Sequence, residues 1–499
     1  MARILVLDGL SEEGVAILRD AGFEVDVKPP QKPDELAALI GAYDGLVVRS
    51  ATKVTAAAFE NVGHLKVIGR AGVGTDNIDK DAATKKGVVV MNTPGGNTIS
   101  TCEHAFALLF ALCRNIPAAD ASMHAGRWDR KKFMGAEVYG KTLGIVGLGR
   151  IGSAVAKRAQ SFEMKVIAHD PIMTKIKADA LGVELVSFDE LIERSDFITI
   201  HAPKSDKTNN MFRIEHLERM KPSCRIVNCA RGGIVNEADL AQALKDIVLT
   251  PHLAASTDEA QLTVAVDIAR PIVDYLESGT IVNAVNVPSL DGETRQALAP
   301  MLYLAERLGR FQSSFTKGHP TKLDIEYSGD LGVADTYAIS ASIMTGFLSP
   351  LVETVNMVSA PPLMESYGIA TSETRSARAP DYAFEIGVTV TTTKETHRVA
   401  GTLFSKHDPR ICSIDGMRVD AKPEGWMLVC MNEDKPLIIG RVGTIIGEAG
   451  INIANLMLGR DAQGGRALTV LNLDAPLDDA LMDRIRQVPH VTEVRLVAL

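Results

Sequence analysis

The stretch TLGIVGLGRIGSAVAKRAQSFEMKVIAHD, residues 142–170, decides the fold of this chain. It opens on the apolar run of a buried strand, and Gly147, Gly149 and Gly152 follow in the spacing G-x-G-x-x-G. A helical pattern and a second strand come next, and the second strand ends at Asp170. The first glycine permits a tight turn, the second lets the backbone approach a pyrophosphate, and the third lets helix and strand pack closely. The segment predicts a βαβ dinucleotide-binding unit.

Asp170 favours NAD over NADP as the cofactor. It lies eighteen residues after Gly152, where a carboxylate accepts hydrogen bonds from a ribose 2′-OH and repels a 2′-phosphate. The alternative is that Asp170 only caps a helix opened by Pro171. Because the strand, the glycines and the acid occur together, we prefer the dinucleotide interpretation.

Two blocks of the chain predict doubly wound, parallel α/β sheets. In each block, short β-branched runs alternate with amphipathic helical stretches. The predicted strands of the first block are Arg3–Leu7, Phe23–Lys28, Gly45–Arg49, Leu65–Gly69 and Gly87–Met91. Those of the second are Thr142–Gly147, Lys165–His169, Phe197–His201, Arg225–Asn228 and a short strand, IVLT, at 247–250. We expect ligands at the carboxyl ends of these strands.

The pattern changes at about residue 284 to an α+β organisation. Antiparallel strands are expected at Leu323–Tyr327, Phe384–Thr392 and Arg398–Leu403, around a helix at Asp335–Val358 and a loop-rich stretch at 360–381. The last unit reads βαββαβ. The expected domains are 1–97 with about 256–283, 98–255, 284–422 and 426–499.

Composition excludes several classes of protein. The 499 residues are 46% hydrophobic and 23% charged, so the chain is globular and not disordered. The 53 basic and 62 acidic residues give a net charge of −9, which disfavours nucleic acid as a partner. We find neither a signal peptide nor an apolar membrane-spanning run. Six cysteines without a C-x-x-C pair favour a reducing, cytoplasmic location, and no histidine cluster has metal-ligand spacing.

Arg231 and His252 are the candidate catalytic residues. Arg231 follows a strand in the run CARGG, where a guanidinium can hold a carboxylate bidentately. His252 follows Pro251, and an imidazole can take the proton of a hydroxyl group. Each has a structural alternative, because Arg231 could serve a tight turn and His252 could be a satisfied strand-end histidine.

At this point the motifs carry a family resemblance. The chain resembles the D-2-hydroxyacid dehydrogenases in GRAGVGTDNID (69–79), MNTPGGNT (91–98), GKTLGIVGLGRIG (140–152), NCARGGIV (228–235) and PHLAAST (251–257). More narrowly, VVRSATKVT (47–55), GRWDRKKFMG (126–135) and the C-terminal units are similar to the long-type D-3-phosphoglycerate dehydrogenases. The resemblance implies two Rossmann-like domains, an intervening domain and an ACT domain. It also implies NAD-dependent oxidation of 3-phosphoglycerate to 3-phosphohydroxypyruvate, the first step of serine biosynthesis.

The resemblance assigns a role to each matching position. It makes His252 the general acid/base and Arg231 the residue that binds and polarises the substrate carboxylate. Arg49 and Arg70 would bind the substrate's anionic groups, and Arg130 would do so from a neighbouring subunit of a dimer or tetramer. By composition alone, Arg130 reads as part of a solvated basic face. The implied NAD contacts are Arg150, Ile151, Asp170, Cys229, Ala230, Arg231, His252, Leu253, Ala254 and Ala255.

One segment departs from the family. Between Asp246 and Ile247 the family has about 25–30 further residues, with a sheet strand, an Asp near the nicotinamide ribose and the catalytic Glu that hydrogen-bonds the histidine. Without that Glu, the histidine loses orientation and stabilisation of its protonated form. We therefore expect turnover to be about 10²–10⁴-fold below ordinary.

The C-terminal unit is a candidate effector site. The positions that match the ACT effector residues are Asn432, Asp434 and Asn452, which could bind L-serine. The family's Pro-Gly is Pro436-Leu437 here, so a side chain stands where the family has none. The alternative is a subunit-pairing module without a ligand.

Two other functions stay open beside the dehydrogenase. The missing acid favours a non-catalytic sensor that binds NAD and an amino acid on the same scaffold. A reductase for another D-2-hydroxyacid, such as hydroxypyruvate or glyoxylate, would leave the basic segment and both C-terminal units without a role.

Overall fold

The first sheet is parallel and positions one wall of the candidate site. The computed structural model describes residues 1–243, 248–332, 335–352, 355–376 and 381–499. The sheet has the order β2-β1-β3-β4-β5. Its strands are β1 Arg3–Val6, β2 Glu24–Val27, β3 Gly45–Val48, β4 Val67–Arg70 and β5 Val89–Asn92. Helices α1 Glu12–Asp20, α2 Pro33–Leu39 and α3 Lys80–Lys85 connect them. Strands β3 and β5 are fully buried, as expected for a parallel sheet covered on both faces.

The second sheet is also parallel and has the order β10-β9-β6-β7-β8. Its strands are β6 Thr142–Val146, β7 Lys165–His169, β8 Glu184–Leu185, β9 Phe197–Ile200 and β10 Arg225–Asn228. Its helices are α4 Thr98–Cys113, α5 Ile116–His124, α6 Arg150–Ser161, α7 Lys175–Ala180, α8 Phe188–Arg194, α9 Ile214–Arg219 and α10 Glu237–Ala243. Helix α11, Asp258–Ser278, returns to the first sheet, where Ile268 and Ile272 are buried in its core.

The chain just before His252 is not a strand. Val248, Leu249 and Thr250 have no regular structure, and Ile247 lies outside the described residues. The strand expected at 247–250 is therefore wrong at the three positions that the structure describes. Within the described ranges β10 is the outer strand of its sheet.

The third sheet is mixed, with the order β12-β11-β13-β14-β15-β16. Strands β11 and β12 are parallel, and the other neighbours are antiparallel. The strands are β11 Pro320–Gly329, β12 Ala370–Ser376, β13 Phe384–Thr392, β14 Thr396–Leu403, β15 Pro409–Ile414 and β16 Met417–Ala421. Helices α12 Gly292–Phe315, α13 Tyr337–Leu348 and α14 Ala360–Ser366 accompany the sheet.

Two expectations for this unit are wrong. The helix expected over Asp335–Val358 ends at Leu348, and residues 360–376 form a helix and a strand instead of a loop. Pro361 and Pro362 suggested a loop, but proline is tolerated in the first helical turn, where no backbone donor is required. The end of the expected loop, residues 377–380, lies outside the described residues.

The fourth sheet is antiparallel, with the order β18-β19-β17-β20. Strands β17 Trp426–Glu433, β18 Ile453–Arg460, β19 Arg466–Leu473 and β20 Val491–Ala498 alternate with helices α15 Ile438–Glu448 and α16 Asp479–Arg486. Both faces of the central strand β17 are buried. Leu428 and Cys430 pack with the two helices, whereas Met427 and Val429 join the core of the third-sheet unit.

A buried ion network joins the third and fourth sheets. Arg495 on β20 is 6% exposed and binds both carboxylate oxygens of Glu395 at 2.7 and 3.0 Å. It also donates to the Phe315 carbonyl, and its guanidinium lies 4.7 Å from the Phe315 ring centroid. The hydrogen bond from Arg495 holds the pKa of Glu395 near 2.

No helix among the described residues is both long and apolar enough to cross a membrane.

Candidate active site

The glycine loop divides its roles among three positions. Gly147 has φ +91°, and a Cβ there would lie 2.8 Å from the His201 carbonyl oxygen. A Cβ on Gly152 would collide with the Gly147 carbonyl. A Cβ on Gly149 would meet nothing within 4 Å, and Gly149 makes no side-chain cap at the start of α6. The first and third glycines therefore serve packing, and the second leaves open space beside free helix N–H groups.

Asp170 is tied to this loop. Its Oδ2 accepts from the Leu148 N–H at 2.8 Å, and its Oδ1 accepts from Ile172 and Met173 at 2.8 and 2.9 Å. Burial alone would raise the pKa of Asp170, but these backbone donors lower it, so the carboxylate is charged. The alternative role as cap of a helix at Pro171 is wrong, because the next helix begins at Lys175 and is capped by Thr174.

A cavity of about 330 Å³ lies between the first and second sheets. It brings together most of the predicted site residues, which come from both units. These are Arg49, Arg70, Arg150, Ile151, Cys229, Ala230, Arg231, His252, Ala254 and Ala255. The cavity thus lies where strand ends of a doubly wound fold bind ligands.

Three guanidinium groups converge on this cavity. Burial, together with the nearby charges of Arg231 and Arg49, lowers the pKa of Arg70 to about 10. Guanidinium groups that repel one another in this way form a positively charged site, and a bound anion would offset their repulsion. Gly72, at φ +142°, makes room for the Arg70 side chain, because a Cβ there would collide with its guanidinium.

Arg231 crosses from the second sheet to the first. Its Nε donates to Asp76 Oδ2 at 3.0 Å, and its Nη1 donates to the Ala230 carbonyl at 2.9 Å. Its Nη2 occupies the space that a Cβ on Gly74 would need. The guanidinium is therefore held on three sides at the wall of the cavity.

His252 lines the cavity, and no carboxylate among the described residues pairs with its imidazole. Its backbone has φ +54°, and its N–H donates to the Thr250 carbonyl at 2.9 Å. Within the described ranges its imidazole makes no hydrogen bond or ion pair with an acid. The hydroxyl of Thr250 contacts His104 Nε2 on α4 at 3.2 Å. Helix α4 is thus the nearest support for the segment that carries His252.

Sequence reasoning missed His201. It lines the cavity directly after β9, and its Nε2 lies 2.9 Å from the Thr199 hydroxyl. Its Nδ1 is buried without a partner, and burial lowers the pKa of the imidazole to about 4. The ring is therefore neutral and offers one unused polar atom beside the glycine loop. The sequence signal that could have identified His201 was its position at the end of a predicted strand, where this fold binds ligands.

Two of the predicted residues do not line the cavity, and a third, Cys229, lines it but does no thiol chemistry. Arg130 lies on the projecting segment 126–139, and Leu253 is 43% exposed, and neither lines the cavity. Cys229 does line it, but burial raises the pKa of its thiol to about 11. The thiol is therefore neutral and acts by packing.

The predicted effector residues fall at two ends of the fourth sheet. Asn432 ends β17 and donates to the Glu433 carbonyl at 2.7 Å, and Asp434 accepts from Arg460 at 2.9 Å. Asn452 precedes β18 and donates to Asp474 at 2.9 Å. In the register of the sheet, Asn432 lies beside Ala467, whereas Asn452 lies beyond Leu473 at the other end of β19. One chain therefore does not bring the three residues together.

Leu437 adopts the conformation of the glycine that it replaces. It has φ +73° at the start of α15, and its side chain is 71% exposed. The left-handed region is unfavourable for a residue with a Cβ. The backbone at Leu437 therefore has a left-handed conformation that is strained for leucine.

The residues present fit NAD. The open space at Gly149, the charged Asp170 and the unpartnered Nδ1 of His201 lie around one loop. These are the features that a pyrophosphate and a ribose require. Among the described residues no group of three or more His, Cys, Asp or Glu side chains could hold a metal ion.

Comparisons with known proteins agree with this geometry. Residues 106–254 match the family model "D-isomer specific 2-hydroxyacid dehydrogenase, NAD binding domain". Residues 297–415 match "D-3-phosphoglycerate dehydrogenase intervening domain", and residues 426–490 match "ACT domain". The fold and site thus define a 2-hydroxyacid dehydrogenase scaffold with an NAD-binding domain.

Curated relatives specify the family further. D-3-phosphoglycerate dehydrogenase of Archaeoglobus fulgidus is 40% identical over 527 positions and that of Bacillus subtilis is 38% identical over 528, each with 100% of both chains covered. This chain belongs to the D-3-phosphoglycerate dehydrogenase family. The 527 aligned positions of the first pairing exceed the 499 residues of this chain by 28.

Solved structures match the first two units. An NAD-dependent formate dehydrogenase from Staphylococcus aureus, in complex with NAD, has a TM-score of 0.51 at 28% identity, covering 57% of this chain and 99% of that one. A glyoxylate reductase from Paecilomyes thermophila has a TM-score of 0.52 at 25% identity, covering 57% and 98%.

Proposed function

We propose that this chain oxidises 3-phosphoglycerate to 3-phosphohydroxypyruvate with NAD, the first step of L-serine biosynthesis. The observation that carries the proposal is the cavity in which Arg49, Arg70 and Arg231 converge beside His252. The substrate carries a carboxylate and a phosphate, and several guanidiniums are suited to both groups. Full-length identity to curated D-3-phosphoglycerate dehydrogenases supports the choice over hydroxypyruvate or glyoxylate.

The residues of the site have separable tasks. Arg231 binds the substrate carboxylate and polarises the reacting carbon, and Arg49 and Arg70 neutralise the remaining negative charge. His252 takes the proton of the substrate hydroxyl through its imidazole. Bound NAD supplies the acceptor for the hydride that leaves the same carbon. We assign Arg130 to the cavity of a neighbouring subunit in a homo-oligomer, because its exposed side chain does not line the cavity of its own chain.

The missing carboxylate makes this catalysis slow. A protonated imidazole at His252 has no acid among the described residues to stabilise it, so the proton transfer loses one of its components. The same observation favours the second candidate function, a sensor that binds NAD and an amino acid without turnover.

One experiment separates the two candidates. NADH fluorescence measures cofactor binding, and the reduction of NAD in the presence of 3-phosphoglycerate measures turnover. A slow rate that saturates with 3-phosphoglycerate supports the enzyme, whereas NADH binding with no rate above background supports the sensor. Turnover that is faster with glycerate or glycolate would contradict both.

We also propose that L-serine is the effector of the C-terminal unit. A site that uses Asn432, Asp434 and Asn452 together requires residues from two copies of the chain, because they lie at opposite ends of the sheet. Equilibrium dialysis with serine, combined with the oligomeric state from light scattering, tests this.

All six cysteines are unpaired, which supports a reducing, cytoplasmic location.

A further inference from the structure

The side chain of Asp76 fixes one edge of the Arg231 guanidinium. Asp76 belongs to the loop after β4 in the first unit, and Arg231 to the loop after β10 in the second. The bond from Arg231 Nε to Asp76 Oδ2, 3.0 Å long, therefore crosses between the two units that form the cavity. Asp76 itself does not line the cavity, so it does not reach the substrate directly.

The orientation of the guanidinium follows from its contacts. Nε is bound by Asp76, Nη1 by the Ala230 carbonyl, and Nη2 lies against the Cα of Gly74. A planar guanidinium with two donors already committed cannot rotate, so the remaining N–H groups keep one direction. Bidentate binding of a carboxylate depends on that direction.

Asp76 also acts on the charge of the site. Arg49, Arg70 and Arg231 repel one another, and Asp76 is one of two nearby carboxylates that offset this repulsion, the other being Asp8. Its side chain is 69% exposed, and exposed ion pairs contribute little to folding. Removing the Asp76 carboxylate should therefore change the stability of the fold very little. A loss of ligand binding in such a variant would then report on the orientation of Arg231 and not on folding.

We infer that Asp76 is a positioning residue that orients Arg231 for the carboxylate of the substrate. The inference rests on the proposed function for the identity of the substrate, but the orientation of Arg231 applies to any carboxylate ligand. Asp76→Ala removes the acceptor, and Asp76→Asn keeps an acceptor oxygen without its charge. The matched control is Glu24→Gln, which removes an exposed acid that pairs with Arg3 at 3.3 Å in the same unit.

The test measures binding to the full chain loaded with NADH, with 3-phosphoglycerate and oxalate as probes. We expect Asp76→Ala to raise the Kd of both probes by about tenfold and Asp76→Asn by about threefold, because one charge-assisted hydrogen bond is lost. The Kd of NADH and the apparent Tm remain those of the parent chain, and Glu24→Gln changes neither probe.

A double-mutant cycle separates positioning from a general effect. If Asp76 acts through Arg231, the chain with Asp76→Ala and Arg231→Ala binds oxalate no more weakly than the chain with Arg231→Ala alone. Additive losses, or an unchanged Kd in Asp76→Ala, would overturn the inference. Oxalate binding that responds to Asp76→Ala while 3-phosphoglycerate does not bind would overturn the proposed substrate and leave the positioning role standing. If neither probe binds, both proposals fail.

Discussion

The glycine loop at 147–152 and the segment at 248–255 meet the same cavity from two sides, but their local support differs. The glycine loop is held by β7 and the residue after it: the Gly147 N–H donates to the His169 carbonyl at 3.0 Å, and the Leu148 N–H donates to Asp170 at 2.8 Å. His252 follows an irregular stretch, and its imidazole has no acid among the described residues. Cofactor binding thus depends on a locally complete motif, whereas the proton transfer proposed for His252 has no supporting carboxylate among the described residues. The two functions can therefore be separated experimentally.

The largest effect is expected from restoring the missing segment. Inserting the corresponding 28 residues of a curated relative between Asp246 and Ile247 should raise kcat with 3-phosphoglycerate and NAD by about 10²–10⁴-fold, since it returns the carboxylate partner of His252. Steady-state kinetics measure this, and the Kd of NADH should stay within about twofold. The control is the same insert with its carboxylates changed to amides. An ordinary kcat in the chain as it stands would contradict the expectation.

The next effect distinguishes two glycines of the intact loop. Gly149→Val should raise the Kd of NADH about 100-fold with little loss of stability, because its side chain enters the space that the pyrophosphate needs and its Cβ meets no atom within 4 Å. Gly152→Ala should instead destabilise the fold by about 3 kcal/mol through its collision with the Gly147 carbonyl. Fluorescence titration and urea unfolding give the two values, and Gly440→Val, on an open helix face, is the control. If the two substitutions changed NADH binding and stability equally, the assignment of Gly149 to cofactor binding and of Gly152 to packing would be wrong.

A smaller effect depends on pH. Burial holds the pKa of His201 at about 4 against an ordinary 6.5, so the unfolded chain binds this proton first as pH falls. The stability from the neutral imidazole is present above pH 6.5 and is lost between pH 6.5 and 4, and about 2 kcal/mol is lost by pH 5. His201→Gln should reduce the difference in unfolding free energy between pH 7 and pH 5 by that amount, whereas His124→Gln, at an 80% exposed side chain, should not. An unchanged difference in His201→Gln would show that the imidazole titrates normally.

The smallest effect concerns Leu437, which is strained although its loop is formed. Leu437→Gly should stabilise the C-terminal unit by about 0.5 kcal/mol, because glycine accepts φ +73° without penalty but loses more entropy on folding. Calorimetry of the full chain measures the shift. A decrease in Tm would mean that the exposed leucine makes a contact worth more than its strain.

Sequence predicted the parts of this molecule that repeat a local rule. The strands around Gly147 and in the fourth sheet follow from apolar runs and turn residues, and Arg231 follows the predicted strand at Arg225–Asn228. Arg49 and Arg70, in contrast, were identified only through the family resemblance. Residues 360–376 were mispredicted because Pro361 and Pro362 suggest a loop until the parallel pairing of β12 with β11 is known. His201 was missed because its burial, which makes it neutral, is set by tertiary packing. The Asp76–Arg231 bond joins residues 155 positions apart, a distance that local pattern cannot bridge.

The core shared by the third and fourth sheets limits where the molecule can bend. Met427 and Val429 are buried against the third-sheet unit, and parting the two sheets would expose them and break the ion pair between Arg495 and Glu395. These two sheets must therefore travel as one rigid block. The block also meets the first unit through Asn356, which donates to the Gly87 carbonyl at 2.9 Å, and through Val358, which is buried in the core of the first sheet. These contacts and residues 279–291, which connect α11 to α12, are therefore the places to look for coupling between the far end of the chain and the catalytic cleft.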